Sequence, residues 1–146
     1  MLPNELLDTY SRDLKTIELS KLLQTENEVS LGGLCGNLKV IIPLSISYLK
    51  ENNHCFICAD KKEAMLYYSN LCNYLNNEKV FFFPYSNRKP YDDELINNAN
   101  VIMRTETIQH LKENKNEKTY VVTYPEGLVE LYPCLLYTSD AADDIP

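Results

Sequence analysis

Gly33-Leu34-Cys35-Gly36-Asn37-Leu38-Lys39-Val40 is the stretch on which the reading of this chain turns. A working phosphate-binding loop, GxxxxGK[ST], cradles phosphates with backbone amides. Its lysine reaches the outer phosphates and its hydroxyl holds magnesium. Gly33 and Lys39 stand at the right spacing, with Gly36 between them. The second required glycine is Leu38, and the hydroxyl position is Val40. Leu38 adds a side chain where main chain must approach a phosphate, and Val40 cannot ligate a metal. The pattern predicts the scaffold of a nucleotide-binding domain without its hydrolytic chemistry.

Working outward, apolar residues Leu6, Leu7, Tyr10, Leu14, Ile17, Leu19, Leu22 and Leu23 recur at roughly helical spacing. They predict one or two amphipathic helices over residues 3 to about 25. Glu28–Leu31 reads as a short strand leading into the loop, and a helix should run from about Asn37 to Lys50. Pro43 within it predicts a kink or a late start. His54–Ala59 is a continuous apolar run, expected as a strand buried on both faces. Asp60 should cap a helix to Leu75 with Ala64, Leu66 or Tyr67, Leu71 and Leu75 inside.

Val80–Phe83 is a further buried strand ended by Pro84, and a loop from Tyr85 to Tyr91 follows. Asp92 to Glu113 should be largely helical, burying Leu95, Ala99, Ile102, Met103, Thr107 and Leu111. Tyr120–Thr123 completes the strands, and Pro125–Leu131 begins a short helix. Strands alternating with helices imply βαβ units and a parallel sheet. The expected class is α/β, a partial RecA-like domain of the phosphate-loop NTPase type.

The 146 residues are 45% hydrophobic and carry a net charge of −7. That size suits one domain with a real core, and the acidic balance lacks the footprint of a phosphate-backbone binder. No apolar run could span a bilayer and the start lacks signal-peptide character. The expected compartment is the cytoplasm, with the five cysteines reduced. Cys134–Asp143 reads as a translation of TGT CTC TTA TAC ACA TCT GAC GCT GCC GAC, which resembles a transposon-end adapter used in preparing sequencing libraries. We therefore expect residues 134–146 to be an adapter-derived tail joined to a truncated reading frame; the alternative is a natural acidic tail. Leaving them out removes three aspartates and moves the net charge from −7 to −4. The organisation expected is a helical segment over 1–27, an incomplete α/β domain over 28–133, and the tail.

Other candidates divide between chemistry and packing. Lys39 could hold an anion at a helix N-terminus or be a solvated lysine on a turn. Cys55 and Cys58 form a Cys-x-x-Cys, but three-residue spacing in a strand turns the thiols to opposite faces. Buried structural cysteines are the favoured reading, and His54 and His110 have no evident ligand partnership. Tyr85, Arg88, Lys89, Tyr91 and Arg104 form a possible contact surface with aromatics available to stack, or a loop packed on its own domain. Asp92, Asp93 and Glu94 complement a helix dipole. No catalytic residue and no metal site can be argued from spacing.

Five segments taken in order carry a family resemblance. Cys58-Ala-Asp-Lys-Lys-Glu-Ala-Met65 is followed by Phe81-Phe-Phe-Pro84 and by Arg88-Lys-Pro-Tyr91 with Asn97–Glu106. With Tyr120-Val-Val-Thr-Tyr-Pro-Glu-Gly127, they resemble the N-terminal UvrB-like module of the transcription-repair coupling factor Mfd, over roughly residues 28 to 133. UvrB itself has an intact phosphate loop and a long aromatic hairpin after its equivalent of Phe83-Pro84, and this chain has neither.

The resemblance implies a parent that displaces RNA polymerase stalled at a lesion. That parent translocates on double-stranded DNA with ATP and magnesium, and recruits UvrA for nucleotide excision repair. The motor and the polymerase-binding domain lie downstream in the family, and most of the UvrA-contacting subdomain does too. For the piece in hand the resemblance implies a non-catalytic adaptor platform with no cofactor of its own. Two alternatives stay open: a nucleotide-binding domain of a UvrB-type or related helicase subunit, and a stand-alone structural domain.

Overall fold

A computed structural model describes residues 3–75, 79–86 and 98–130. The first helices are α1 (Pro3–Ser11), α2 (Leu14–Thr25) and α3 (Leu38–Tyr48). Strand β1 (His54–Ile57) and helix α4 (Lys61–Leu75) come next, then β2 (Val80–Phe83) and α5 (Asn98–Glu113). Strand β3 (Tyr120–Thr123) and the short α6 (Pro125–Val129) complete the order. The strands form one parallel sheet ordered β1-β3-β2, with His54 and Val80 both opposite Tyr120. The class is α/β, and among the described residues the sheet is small, parallel and three-stranded, flanked by helices.

The path through the sheet explains where the helices lie. From β1 the chain passes over β3 to β2 through α4, then reverses direction and returns to β3 through α5. Right-handed crossovers travelling in opposite directions must use opposite faces. Tyr67 of α4 accordingly packs on Phe56 and Tyr68 on Phe82, while His110 of α5 packs on Phe81. Strand alternation assigns Phe56, Val80, Phe82, Tyr120 and Val122 to the α4 side, and these join Leu7, Val40, Ile41, Leu44 and Leu71 in the main core.

Several sequence expectations change. Residues 28–31 form no strand; they run as largely exposed irregular chain, and none of the described strands pairs with them. The N-terminal pattern is two helices, broken where the Asp13 carboxylate accepts the Lys15 and Thr16 amides. Leu7 and Leu19 are buried there, but Leu14, Leu22 and Leu23 are exposed, and Thr16 and Ser20 turn inward instead. Strand β1 is not buried on both faces. It is an edge strand of the described sheet with Cys55 and Ile57 exposed.

Asp60 does cap α4: its carboxylate accepts the Glu63 amide at 2.8 Å, and the Glu63 carboxylate accepts the Ala59 amide at 2.8 Å. Within α4, Tyr67 rather than Leu66 faces inward. The buried stripe of α5 is polar, made by Asn100, Arg104 and Thr107, whereas Ile102 and Met103 face out. The expected start of that helix at Asp92 and residues 87–91 of the expected loop lie outside the described residues, as do Leu95, Leu131 and the tail from 134.

Candidate functional site

The degenerate loop is exposed and closed on itself. Gly33 (φ +77°) and Gly36 (φ +57°) take the left-handed conformation that glycine adopts without cost. Gly36 sits in the turn that launches α3. There the Leu38 amide donates to the Cys35 carbonyl (3.2 Å), Lys39 to Gly36 (3.4 Å), and Val40 and Ile41 to Asn37 (3.0 and 2.9 Å). A phosphate cradle needs amides pointing outward and unpaired; these four point into the turn. Val40, at the magnesium-hydroxyl position, is 4% exposed and packs in the core, while Lys39 stands in solvent. Leu38 is half-buried.

Pro43 lies inside the continuous helix α3 and does not delay its start. Lacking an N–H, it leaves the Lys39 carbonyl one turn back without its helical donor. The Tyr67 hydroxyl of α4 supplies the missing hydrogen bond at 2.8 Å. Burial, with Cys58 and Glu63 nearby, raises the Tyr67 pKa, so the phenol keeps the proton that it donates.

The densest polar arrangement lies at the carboxyl ends of β2 and β3, where open α/β sheets ordinarily receive ligands. Its centre is Arg104. One guanidinium nitrogen, Nη1, donates to the Pro84 carbonyl (2.8 Å) and the Gly127 carbonyl (2.7 Å) and lies 3.3 Å from a Glu130 carboxylate oxygen. Nη2 donates to the Glu130 carbonyl at 3.3 Å, and the guanidinium carbon lies 4.1 Å from the centre of the Phe83 ring. Glu130 also accepts the Ser86 amide at 2.8 Å and the Ser86 hydroxyl.

Around this clasp the Asn100 amide donates to the Tyr85 carbonyl (2.9 Å), the Tyr124 hydroxyl accepts the Tyr85 amide (3.0 Å), and the Thr123 hydroxyl donates to the Phe83 carbonyl (2.7 Å). Gly127 is required by contact: a Cβ there would stand 2.7 Å from the Phe83 carbonyl oxygen and 2.8 Å from the Thr123 hydroxyl. The protein's own groups fill this crevice.

Arg104 is therefore no part of a contact surface; its side chain is 3% exposed and its donors turn inward. Tyr85 is half-buried beside the same clasp. Arg88, Lys89 and Tyr91 lie outside the described residues. Spacing could not reveal the clasp, because Arg104 reads as a surface cation and its acceptors are backbone carbonyls distant in sequence.

The thiols diverge as strand alternation requires, Cys55 exposed and Cys58 buried. Burial, Glu63 and Asp60 push the Cys58 thiol up to about 11, so it stays protonated at neutral pH. His110 bonds Thr119 (3.1 Å) and Asn114 (3.2 Å) as a packed side chain of α5. No group of three metal-ligating side chains is assembled among the described residues. On the α5 side, a mainly apolar open cavity of about 290 Å³ lies between that helix and the exposed side of β1, bordered by Cys55, Phe83, Ile108, Leu111, Val121 and Leu128.

Among the described residues no helix is long and apolar enough to cross a membrane. Comparison with protein families, with curated proteins and with solved structures finds no match to this chain.

Proposed function

We propose that this chain is the N-terminal piece of a transcription-repair coupling factor, an incomplete RecA-like module serving as a non-catalytic adaptor platform. The observation that carries the reading is convergence. Three motifs of the resemblance, far apart in sequence, meet at one residue: Arg104 from the 97–106 segment binds the carbonyls of Pro84 and Gly127. Motif order and spacing then have a common physical cause, a clasp tying the exits of β2 and β3 to α5 and α6.

The closed state of the nucleotide spots favours an adaptor over a UvrB-type enzyme. The α3 amides are consumed in their own turn, and the α4 N-terminus is capped by the Asp60 and Glu63 carboxylates, which repel phosphate. The parent's ATP-driven translocation, its displacement of RNA polymerase on DNA and its recruitment of UvrA belong to this proposal. In it, the present piece supplies a rigid face for packing and for UvrA, and works in the cytoplasm.

Two measurements test the reading. Titration of the chain with magnesium ATP should give no saturable binding at micromolar concentration; saturation in that range would replace the adaptor with the enzyme reading. Sequencing the gene past codon 133 should uncover motor motifs. A stop codon there would leave a stand-alone structural domain instead.

A further inference from the structure

His54 opens β1, the edge strand, and its ring stacks on Tyr120 of β3 with centroids 5.4 Å apart and an interplanar angle of 17°. Its Nε2 is buried and has no hydrogen-bond partner among the described residues. The charged groups around it offer it no acceptor. Lys118, just ahead of β3, and Lys50, from the α3–β1 connection, both disfavour a second positive charge on the ring. Glu51 acts on Lys118 and on the Tyr120 phenol. The Tyr120 hydroxyl is shared with Ser47 of α3 at 2.9 Å, and Tyr48 lies near it. The Asn53 carbonyl oxygen is taken by the Thr119 amide at 3.0 Å.

A neutral imidazole can leave one nitrogen lone pair unpaired at modest cost. An imidazolium carries a donor on each nitrogen, and a buried donor without an acceptor is penalised. Among the described residues the strand that bears this ring is held on one side only, to β3, with the His54 amide on the Thr119 carbonyl and the Cys58 amide on the Thr123 carbonyl, each at 2.9 Å. A penalty at its first residue is released most easily by parting β1 from β3.

We propose that His54 is a proton-operated latch: β1 stays docked on β3 while the imidazole is neutral and loosens when the imidazole is protonated. The latch does not depend on the repair assignment, since it uses only the ring, its neighbours and the edge position.

Burial and the two lysines lower the His54 pKa in the folded chain from its ordinary 6.5. The folded state then binds fewer protons than the unfolded one in acid. The contribution of neutral His54 is complete above the unfolded pKa. It falls away as pH drops below 6.5 and levels off once the folded group has titrated, by at most about tenfold in the opening equilibrium per pH unit.

The test follows C2-proton exchange of each histidine in the full chain by mass spectrometry between pH 5 and 8, with amide exchange of the β1 and α3 peptides corrected for intrinsic rate. His54 should titrate below 6.5, and β1 should lose protection relative to α3 in that window. H54F keeps the stack and should abolish the acid-induced loss, whereas H110Q should retain it. Titration of His54 at or above 6.5 would overturn the latch, as would an H54F chain losing β1 protection as the parent does, or an H110Q chain that no longer loses it. If H54F does not fold, the His54 titration in the unaltered chain decides alone.

Discussion

Arg104 concentrates in one side chain what most of this domain distributes over many. Its fork meets three carbonyls and a carboxylate, and a planar guanidinium can do this where an ammonium cannot. R104L would leave Glu130, in a pair whose side chains are 3% and 13% exposed, without its partner, and the Pro84 and Gly127 carbonyls without a donor. The expected loss is about 3–5 kcal/mol, read as a fall in the urea midpoint. R104K should recover only part of it, having the charge but not the fork. A urea midpoint unchanged in R104L would mean that the clasp contributes nothing net. The sequence displays Arg104 as one cation of a contact surface. The neighbouring Ile102 and Met103, the obvious core candidates, face solvent, while Asn100, Arg104 and Thr107 turn inward.

Helix α3 is apolar along most of its length and would be a sound inner helix but for Pro43. The defect is repaired from another element, by the Tyr67 hydroxyl on the Lys39 carbonyl. Y67F should cost about 1 kcal/mol, and P43A, which restores the main-chain donor, should stabilise the Y67F chain more than it stabilises the parent. A double-mutant cycle by chemical denaturation measures that coupling; additive effects would show that the two residues act independently.

The same element limits what loop repair can achieve. L38G with V40T rewrites the phosphate-loop pattern, yet the amides of residues 38–41 would still donate into their own turn, and a threonine at 40 would face the core. That double variant should gain no magnesium ATP binding in a calorimetric titration. Micromolar binding would mean that the Leu38 and Val40 side chains, and not the paired amides, were the obstacle.

At the scale of the molecule, the described sheet is narrow and β1 forms one of its edges. Ile57 is 61% exposed on β1, and the open cavity on the α5 side is bordered by the apolar side chains of Val121, Ile108 and Leu111. Open, apolar strand edges template association. Residues 1–133 expressed alone should therefore fold marginally and aggregate. I57K, which places a charge on that edge, should raise the soluble fraction in a sedimentation assay without shifting the far-ultraviolet circular dichroism. A sharp cooperative melt of soluble monomeric 1–133 would contradict the expectation.

The alternation of apolar runs with helical spacing was enough to read β1, β2, β3 and the helices between them, because period and turn chemistry are local properties. Asp60 as a cap and the divergence of Cys55 from Cys58 followed from the same local rules. The short alternating stretch Glu28-Val-Ser-Leu31 misled, since a strand exists only if a neighbour accepts its hydrogen bonds, and none of the described strands does. Burial was likewise beyond the sequence at Leu14, Leu22, Leu23 and Ile57, where hydrophobicity is plain but what covers it depends on the packing of distant segments. The lost chemistry of the phosphate loop was written in Leu38 and Val40. That its amides are folded inward, that Tyr67 completes α3, and that Arg104 locks the strand exits were decided only by tertiary structure, because each partner is a backbone group whose position the three-dimensional path of the chain sets.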